Sequence, residues 1–533
     1  MMPRSLLRVA ASCLALAASL ALPATARAGD WVDTRLNFTV TDENLLVRPG
    51  ETNPSVPGVR IGMPNRLGIL FFDNYDTRYS GYENLSNLAI YAHKSWRLTE
   101  VEGAFVLRVM ELSDLANQII DNGSYIKLTR NITPNRDRPT YLALTLFPMS
   151  GDRMRLGYSY RISWGGSPVF FKPNPDNPTG STGSNSNPVP AAKLQIGTER
   201  YYAYVGAKTS VFLNPKTNEQ EAHASGLLGV GVDPFKALRL ELNGGYFDRG
   251  GNPKEEVLGA SVRLMGASIR ATYHVGMPVG TSADYLLYKN DPASVGFWFQ
   301  KESYPGGLSY LVSASFNLLA QSLQDPDHAA STKYQLAHAA DLLARLKWNF
   351  TRLHASVMFR TLSYILNNVP SFVPFQDFPA AASVKPEIFA ALGASQYFPR
   401  RRITLGLTAG IQLPATFTAP QLPPELVGNN PVQLGQSSTM VVRQEGDVSL
   451  LPAGEKAMPI YAVKLLARQD FLEYFAAIID LYYTLDQNQS KLCRSFDGAT
   501  CAPADATGRE SEFIRTFIKP HALGFNVTLQ AKF

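Results

Sequence analysis

The last twelve residues constrain this chain more than any other stretch. In residues 522–533, Leu523, Phe525, Val527, Leu529, Ala531 and Phe533 take every second position, with Asn526, Thr528, Gln530 and Lys532 between them. Strict period-2 alternation puts the two sets on opposite faces of a strand, and about eleven residues is the length of a tilted strand that crosses a bilayer. An alternation this long leaves two folds if it recurs. One is a soluble antiparallel sheet with a wet face; the other is a closed barrel whose apolar face meets lipid.

It recurs. Met154, Leu156, Tyr158, Tyr160, Ile162 and Trp164 alternate with Arg153, Arg155, Gly157, Ser159, Arg161 and Ser163. The same period runs through residues 238–246, 267–275, 344–350 and 403–413. Several runs reach about ten residues, against a usual five or six. Aromatics gather at their ends (Trp164, Tyr246, Trp348, Phe350, Phe533), where an interfacial girdle would sit. Connection lengths sort by parity once the last strand is set to end in the periplasm. Residues 469–470, 398–401, 349–352, 304–307, 265–266, 233–236 and 149–151 form short connections. Residues 487–521, 414–457, 367–385, 276–291 and 165–190 form long ones. A barrel with short periplasmic turns and long extracellular loops requires that sorting, and a sandwich does not.

Ending on an aromatic at the last alternating position, the chain resembles bacterial outer-membrane β-barrels of the porin type. The resemblance implies that Phe525, Val527, Leu529 and Phe533 form an assembly signal read by the barrel-assembly machinery. The expected fold is all-β: a transmembrane antiparallel up-and-down barrel of about eighteen strands, with sixteen to twenty tolerated. Residues 121–533 would form it, starting near Tyr125. In residues 29–120, runs 87–96 and 101–110 would add a first hairpin, and the spacing of Leu112, Leu115 and Ile119 predicts a short helix over 113–120. Residues 334–343 fit either a strand or one helix face, and 171–190, rich in Pro, Asn, Gly and Ser, reads as a loop.

Residues 1–28 have the three parts of a secretory signal peptide: Arg4 and Arg8, an apolar run, and Ala26-Arg27-Ala28. Cys13 lies inside that run without a leucine three residues before it, so it does not read as a lipoprotein cysteine. Removing Arg4, Arg8 and Arg27 from the 50 basic residues leaves 47 against 44 acidic ones, a balance of +3. That disfavours a bulk nucleic-acid binder. Cys493 and Cys501 remain, and in an oxidising compartment they read as one loop disulfide.

No stretch makes an active site. The seven histidines are scattered, with no HExxH, no GxSxG and no Walker lysine. Asp325-Pro326-Asp327, and Asp248 with Asn252 and Glu255, read as solvated loop acids rather than a calcium site. No enzyme, metal or cofactor is expected. What carries chemistry is the set of residues between the apolar ones, which would line a lumen. Arg155, Arg161, Arg239, Arg270, Arg345 and Lys347 fall there, with Arg263, Arg360, Lys464 and Arg468 on weaker runs; Lys208 and Glu241 join them. Positive charge confined in a channel attracts anions. The expectation is an outer-membrane channel for small, preferably anionic solutes, in contact with outer-membrane lipid. Two alternatives stand beside it: an export pore for an anionic polysaccharide, working with periplasmic export components, and a surface receptor or adhesin.

Overall fold

The computed structural model describes residues 31–39, 44–46, 60–61, 70–72, 86–109, 119–121, 124–133, 140–149, 156–157, 190–277, 279, 307–368, 375–418, 439–444, 447–472, 475–495 and 512–532. Its wall begins with β1 (Trp31–Thr39), β2 (Ser86–Ser95), β3 (Thr99–Val109), β4 (Tyr125–Asn131), β5 (Tyr141–Phe147) and β6 (Ala191–Gly197). It continues through β7 (Tyr201–Leu213), β8 (Gln220–Phe235), β9 (Leu238–Gly251), β10 (Ser261–Val275), β11 (Leu308–Gln324) and β12 (Thr332–Trp348). It ends with β13 (Thr351–Arg360), β14 (Glu387–Phe398), β15 (Ile403–Leu413), β16 (Ile460–Asp470), β17 (Phe475–Leu485) and β18 (His521–Lys532).

Each strand pairs antiparallel with its neighbours in this order, and β18 pairs with β1 from Asp33↔Lys532 to Phe38↔Val527. Eighteen strands thus close into a ring. Closure is what a membrane demands, because a strand edge facing hydrocarbon would leave amides without partners.

Burial along the strands is inverted relative to a soluble protein. Leu228, Leu336 and Leu392 on the outer face are 60%, 64% and 66% exposed, whereas Glu241 and Asn526 on the inner face are at 2% and 0%. An apolar exterior and a polar interior fit lipid outside. The fold is therefore a transmembrane antiparallel up-and-down barrel, with short turns at the periplasmic end except between β10 and β11, and with its other long connections on the extracellular side. Trp96, Tyr201, Phe235, Tyr273, Trp348, Phe350 and Phe398 stand exposed at the periplasmic strand ends and make that interface aromatic. Asn349, at φ 48°, lets the two-residue β12–β13 turn close.

Three expectations are corrected. Residues 265–266 are not a turn; they lie inside β10, which runs unbroken across them. The extracellular loop expected over 276–291 is not one, because β10 pairs directly with β11 and the connection between them lies at the end where Leu308 pairs with Trp348, the periplasmic end. Residues 154–164 have no seat in the wall, because β5 pairs directly with β6 from Phe147↔Ala191 to Tyr141↔Gly197. Of that run only Leu156 and Gly157 are described, and Leu156 is buried. Residues 334–343 are strand, within β12. The wall also reaches back beyond residue 121, taking in β1 and the hairpin β2–β3. The signal-peptide segment, residues 113–118 of the expected helix and residues 171–189 lie outside the described residues.

Glycines thin the wall where inward rings lie flat on it. A Cβ on Gly231 would overlap the Tyr202 ring from β7, and one on Gly524 would overlap Tyr482 from β17. On the extracellular side, strands Ser383–Lys385, Ala415–Thr418, Thr439–Arg443 and Asp447–Leu450 form a small sheet. Leu362 and Ile365 of helix α1 (Leu362–Asn368) pack with Ala415 and Val442 of that sheet.

The two faces of β18 make a direct test. Val527 faces out and Thr528 faces in. Val527→Arg is expected to cost about 2–4 kcal/mol of stability, the range for a cation at mid-depth on a lipid face, and Thr528→Arg far less. Reversible denaturant titration in lipid vesicles reads both; equal losses would place the faces wrongly.

Candidate functional site

The candidate site is the inner face of the ring. Along strand after strand its character changes with depth. In β10, Val262 and Leu264 near the extracellular end give way to Ser268, Arg270 and Thr272. In β14, Phe389 and Ala391 give way to Ser395, and in β16, Ile460 and Ala462 give way to Lys464 and Arg468. An apolar collar thus lies toward the outside, with a polar, charged band beneath it.

Loop segments fold inward onto that collar. Leu70, Phe71 and Phe72, from the β1–β2 connection, are buried; the Phe71 ring lies 5.4 Å from Phe389, and its N–H donates to Gln444 Oε1 at 3.1 Å. Leu156, from the β5–β6 connection, packs where a Cβ on Gly266 would stand. Tyr364 of α1 joins the same cluster. From the periplasmic side, Met277 and Val279 pack against that cluster. Arg239 Nη1 donates to the Val279 carbonyl at 3.4 Å, and His274 Nδ1 meets the Met277 carbonyl at 2.8 Å. The lumen is therefore narrowed from both mouths.

The charged band is heavily cross-linked. Glu241 accepts from Tyr202 Oη at 2.5 Å and from Arg270 Nη1 at 3.2 Å, while Arg270 Nε donates to Ser313 Oγ at 3.0 Å. On the outer side of the collar, at the extracellular ends of β13 and β14, Arg360 makes a two-pronged contact with Glu387 at 2.8 and 3.2 Å. Glu102 accepts from Tyr91 Oη at 2.9 Å and lies 3.8 Å from Lys127. Arg239 pairs with Asp233, and Arg468 bridges Asp470 at 2.6 Å and Gln530 at 2.8 Å. Ser315 donates to Asp341. Glu241 and Glu102 are each held by a cation and a hydroxyl together, which offsets their desolvation.

One hairpin departs from this pattern of opposites. The ladder sets Arg345 directly across from His354 and Lys347 directly across from Arg352, on β12 and β13. Like charges in register across strands destabilise a sheet. Lys347 and Arg352 are such a pair, and with Arg345 they bring three basic side chains together near the periplasmic end.

Of the residues expected to line the lumen, Arg239, Arg270, Arg345, Lys347, Arg360, Lys464 and Arg468 face inward. Arg263 is corrected: it lies on the outer face near the extracellular end of β10, and its Nε donates to Ser261 Oγ at 3.1 Å. Reading 265–266 as a turn reset the alternation, whereas one continuous strand sets residues 263 and 270, seven apart, on opposite faces. Arg155 and Arg161 lie outside the described residues, as do Cys501 and Phe533. Cys493 is on Ser490–Ser495, paired with Glu512–Phe517 in the last extracellular loop. Phe525, Val527 and Leu529 face outward on β18.

Sequence reasoning missed Lys127, Lys193, Arg352, His354 and Asp341. Lys193 sits in a seven-residue run with Ala192, Leu194 and Ile196 alternating around it, a signal present but short. Arg352 had been absorbed into a turn, and Asp341 lay in the stretch that also fits a helix.

The acids Asp325 and Asp327 do not form a cation cradle. Lys333 Nζ stands 3.3 Å from Asp325, 4.0 Å from Asp327 and 3.2 Å from Asp377, in the place a metal ion would take. With the Ala380 N–H donating to Asp327 at 3.0 Å, this ties the β11–β12 turn to the β13–β14 loop.

No family model and no curated protein matches the chain. Among solved structures it is similar in outline to OpdQ of Pseudomonas aeruginosa, at 6% identity and TM-score 0.40, covering 95% of this chain and 97% of that one. It is also similar to an anion-selective porin from Comamonas acidovorans, at 9% identity and TM-score 0.38, covering 95% and 98%. A third is OprD, an outer-membrane protein of Pseudomonas aeruginosa, at 8% identity and TM-score 0.37, covering 95% and 93%. Likeness at this level identifies no family and no solute; the barrel rests on its own strand pairing.

The lysine-centred latch titrates. Partial desolvation pushes the Asp325 carboxyl up, but hydrogen bonds from the Asp327 N–H, His328 and the Lys333 ammonium overcome it and hold the group below its usual value. A depressed carboxylate stabilises the fold above its unfolded value, about 3.9, and that contribution disappears as pH falls through the folded value. Hydrogen-exchange protection at the Asp327 amide is expected to hold from neutral pH down through the ordinary carboxylate value, about 3.9, and to be lost only below it. Lys333→Met should remove that step, and protection unchanged down to pH 2 would contradict the linkage.

Proposed function

We propose that this chain is an outer-membrane, porin-like channel that passes small, preferably anionic solutes through a basic lumen. The supporting observation is a charge imbalance. Among the described residues, the buried charged side chains on the eighteen wall strands are ten basic and five acidic. The bases are Lys127, Lys193, Lys208, Arg249, Arg270, Arg345, Arg352, Arg360, Lys464 and Arg468; the acids are Glu102, Glu241, Asp341, Glu387 and Asp480. The whole chain is nearly balanced, so its inner surface carries positive charge out of proportion. In a low-dielectric channel that excess raises the local concentration of anions and repels cations.

The in-folded residues favour small solutes over a polymer. Leu70, Phe71, Phe72 and Tyr364 stand on the collar, where a polysaccharide chain would have to pass. Processing after Ala28, export, and recognition of the terminal strand by the assembly machinery complete the reading.

Single-channel recording in a planar bilayer tests it. The reversal potential in a salt gradient should show anion preference. Changing Arg345, Lys347 and Arg352 together to Gln should reduce the permeability ratio about two- to threefold at 0.1 M salt, where charges act over about 10 Å, with little effect at 1 M. A cation-selective wild-type pore would end the reading.

We place a disulfide between Cys493 and Cys501 in the last extracellular loop. Closing so short an interval is worth roughly 2–3 kcal/mol in the chain-entropy account. Because the loop lies outside the wall, Cys493→Ala should leave insertion intact. Mass analysis of exported protein should find the pair oxidised; two alkylatable thiols would refute the bond.

A further inference from the structure

The periplasmic rim carries a basic collar interleaved with the aromatic girdle. Trp96 is followed by Arg97, Arg200 by Tyr201, and Phe235 by Lys236, while Phe398 leads through Pro399 into Arg400-Arg401-Arg402. Those four aromatics are exposed at the lipid interface, and Arg97, Arg200, Lys236, Arg400 and Arg401 are exposed beside them. The turn backbones are already committed. Arg401 and Arg402 carbonyls accept from Gln469 Nε2 at 3.1 Å and the Asp470 N–H at 3.0 Å, and the Arg200 carbonyl accepts from the Asp233 N–H at 2.7 Å. What the turns present outward is therefore side-chain charge. The acids of the same rim partly turn away: Asp233 pairs with Arg239 and Asp470 with Arg468, both on the inner face. Glu100 and Glu199 stay at the surface.

We infer that this collar binds the phosphates of anionic phospholipids in the periplasmic leaflet. An aromatic of the girdle sits at headgroup depth, so a guanidinium one or two residues away reaches the phosphate plane rather than open periplasm. Charge complementarity then selects anionic over zwitterionic lipid, by about fivefold for each cation engaged at low salt. Continuity with the lipid-facing wall favours a lipid over a soluble polyanion. The inference does not depend on what the lumen passes.

The test uses the full mature chain in lipid vesicles, with Trp31, Trp164 and Trp298 changed to Phe so that Trp96 and Trp348 report the periplasmic girdle. Quenching by brominated phosphatidylglycerol is compared with quenching by brominated phosphatidylcholine. The expected result is a preference for phosphatidylglycerol of about fivefold or more at 50 mM salt, falling toward unity at 0.5 M. Changing Arg400, Arg401 and Arg402 to Gln should remove most of it, changing them to Lys should keep it, and Lys456→Gln on the extracellular side should have no effect. Equal quenching by the two lipids in the wild type, or full preference in the Gln variant, would overturn the inference. So would retention on an immobilised anionic polysaccharide, through these arginines, by a protein indifferent to lipid. Conductance in the same vesicles separates this outcome from that of the channel reading.

Discussion

Every other feature of this protein depends on the pairing of its first strand with its last. Six residue pairs, Asp33↔Lys532 through Phe38↔Val527, join segments at opposite ends of the sequence. Without them the sheet would have two edges, and in hydrocarbon each unpaired amide costs several kcal/mol. Closure therefore has to come before the wall can rest in lipid, and the outward leucines are tolerable only because the ring is closed. Its partners are also separated by nearly the whole sequence, so its loop-closure entropy is recovered only when the intervening strands are in place. That gives a physical reason for a terminal strand to be strongly patterned: it must find β1 last and in register.

Alternation in the sequence reports two faces and nothing about depth, which sets the limit of what could be read. The outer face of β18, the inward setting of Arg239, Arg270, Arg345 and Lys347, and the hairpin β2–β3 were legible because apolar and polar residues trade places strictly there. Arg263 was misplaced because Met265 and Gly266 look like a turn in isolation. In the sheet, Gly266 faces Gly245 and Leu319, and Leu156 fills the space beside it. A glycine kept free for an incoming side chain has the same sequence signature as a glycine at a bend. The stretch 276–291 was misassigned for a related reason: its length suggested the outside, yet Met277 and Val279 fold inward at the periplasmic mouth.

The apolar collar was illegible on principle. Val262, Leu264, Phe389, Ala391, Ile460 and Ala462 interrupt the polar register at the extracellular ends of their strands. Read strand by strand, such residues blur the pattern and weaken the assignment. In the ring Leu264, Phe389, Ala391, Ile460 and Ala462 join one buried cluster with the in-folded Leu70, Phe71, Phe72 and Tyr364. Long loops pay for their ordering with this burial, at roughly 25 cal/mol for each Å² of apolar surface removed from water. Pattern-breaking positions in a barrel strand thus mark where something enters the lumen.

The polar band follows a different rule. A buried carboxylate in this lumen is met by a cation and by hydroxyl donors, as Glu241 is by Arg270 and Tyr202. Such clusters are local and nearly neutral, so they brace the wall without setting the long-range field. The hairpin β12–β13 does the reverse. Lys347 stands directly against Arg352, and two like charges in register across strands make the sheet less stable. A wall under selection for stability alone would separate them, since an acid at position 352 would turn repulsion into attraction. Local destabilisation retained at the narrow, charged part of a closed ring is the kind of exception that function leaves in an otherwise consistent structure.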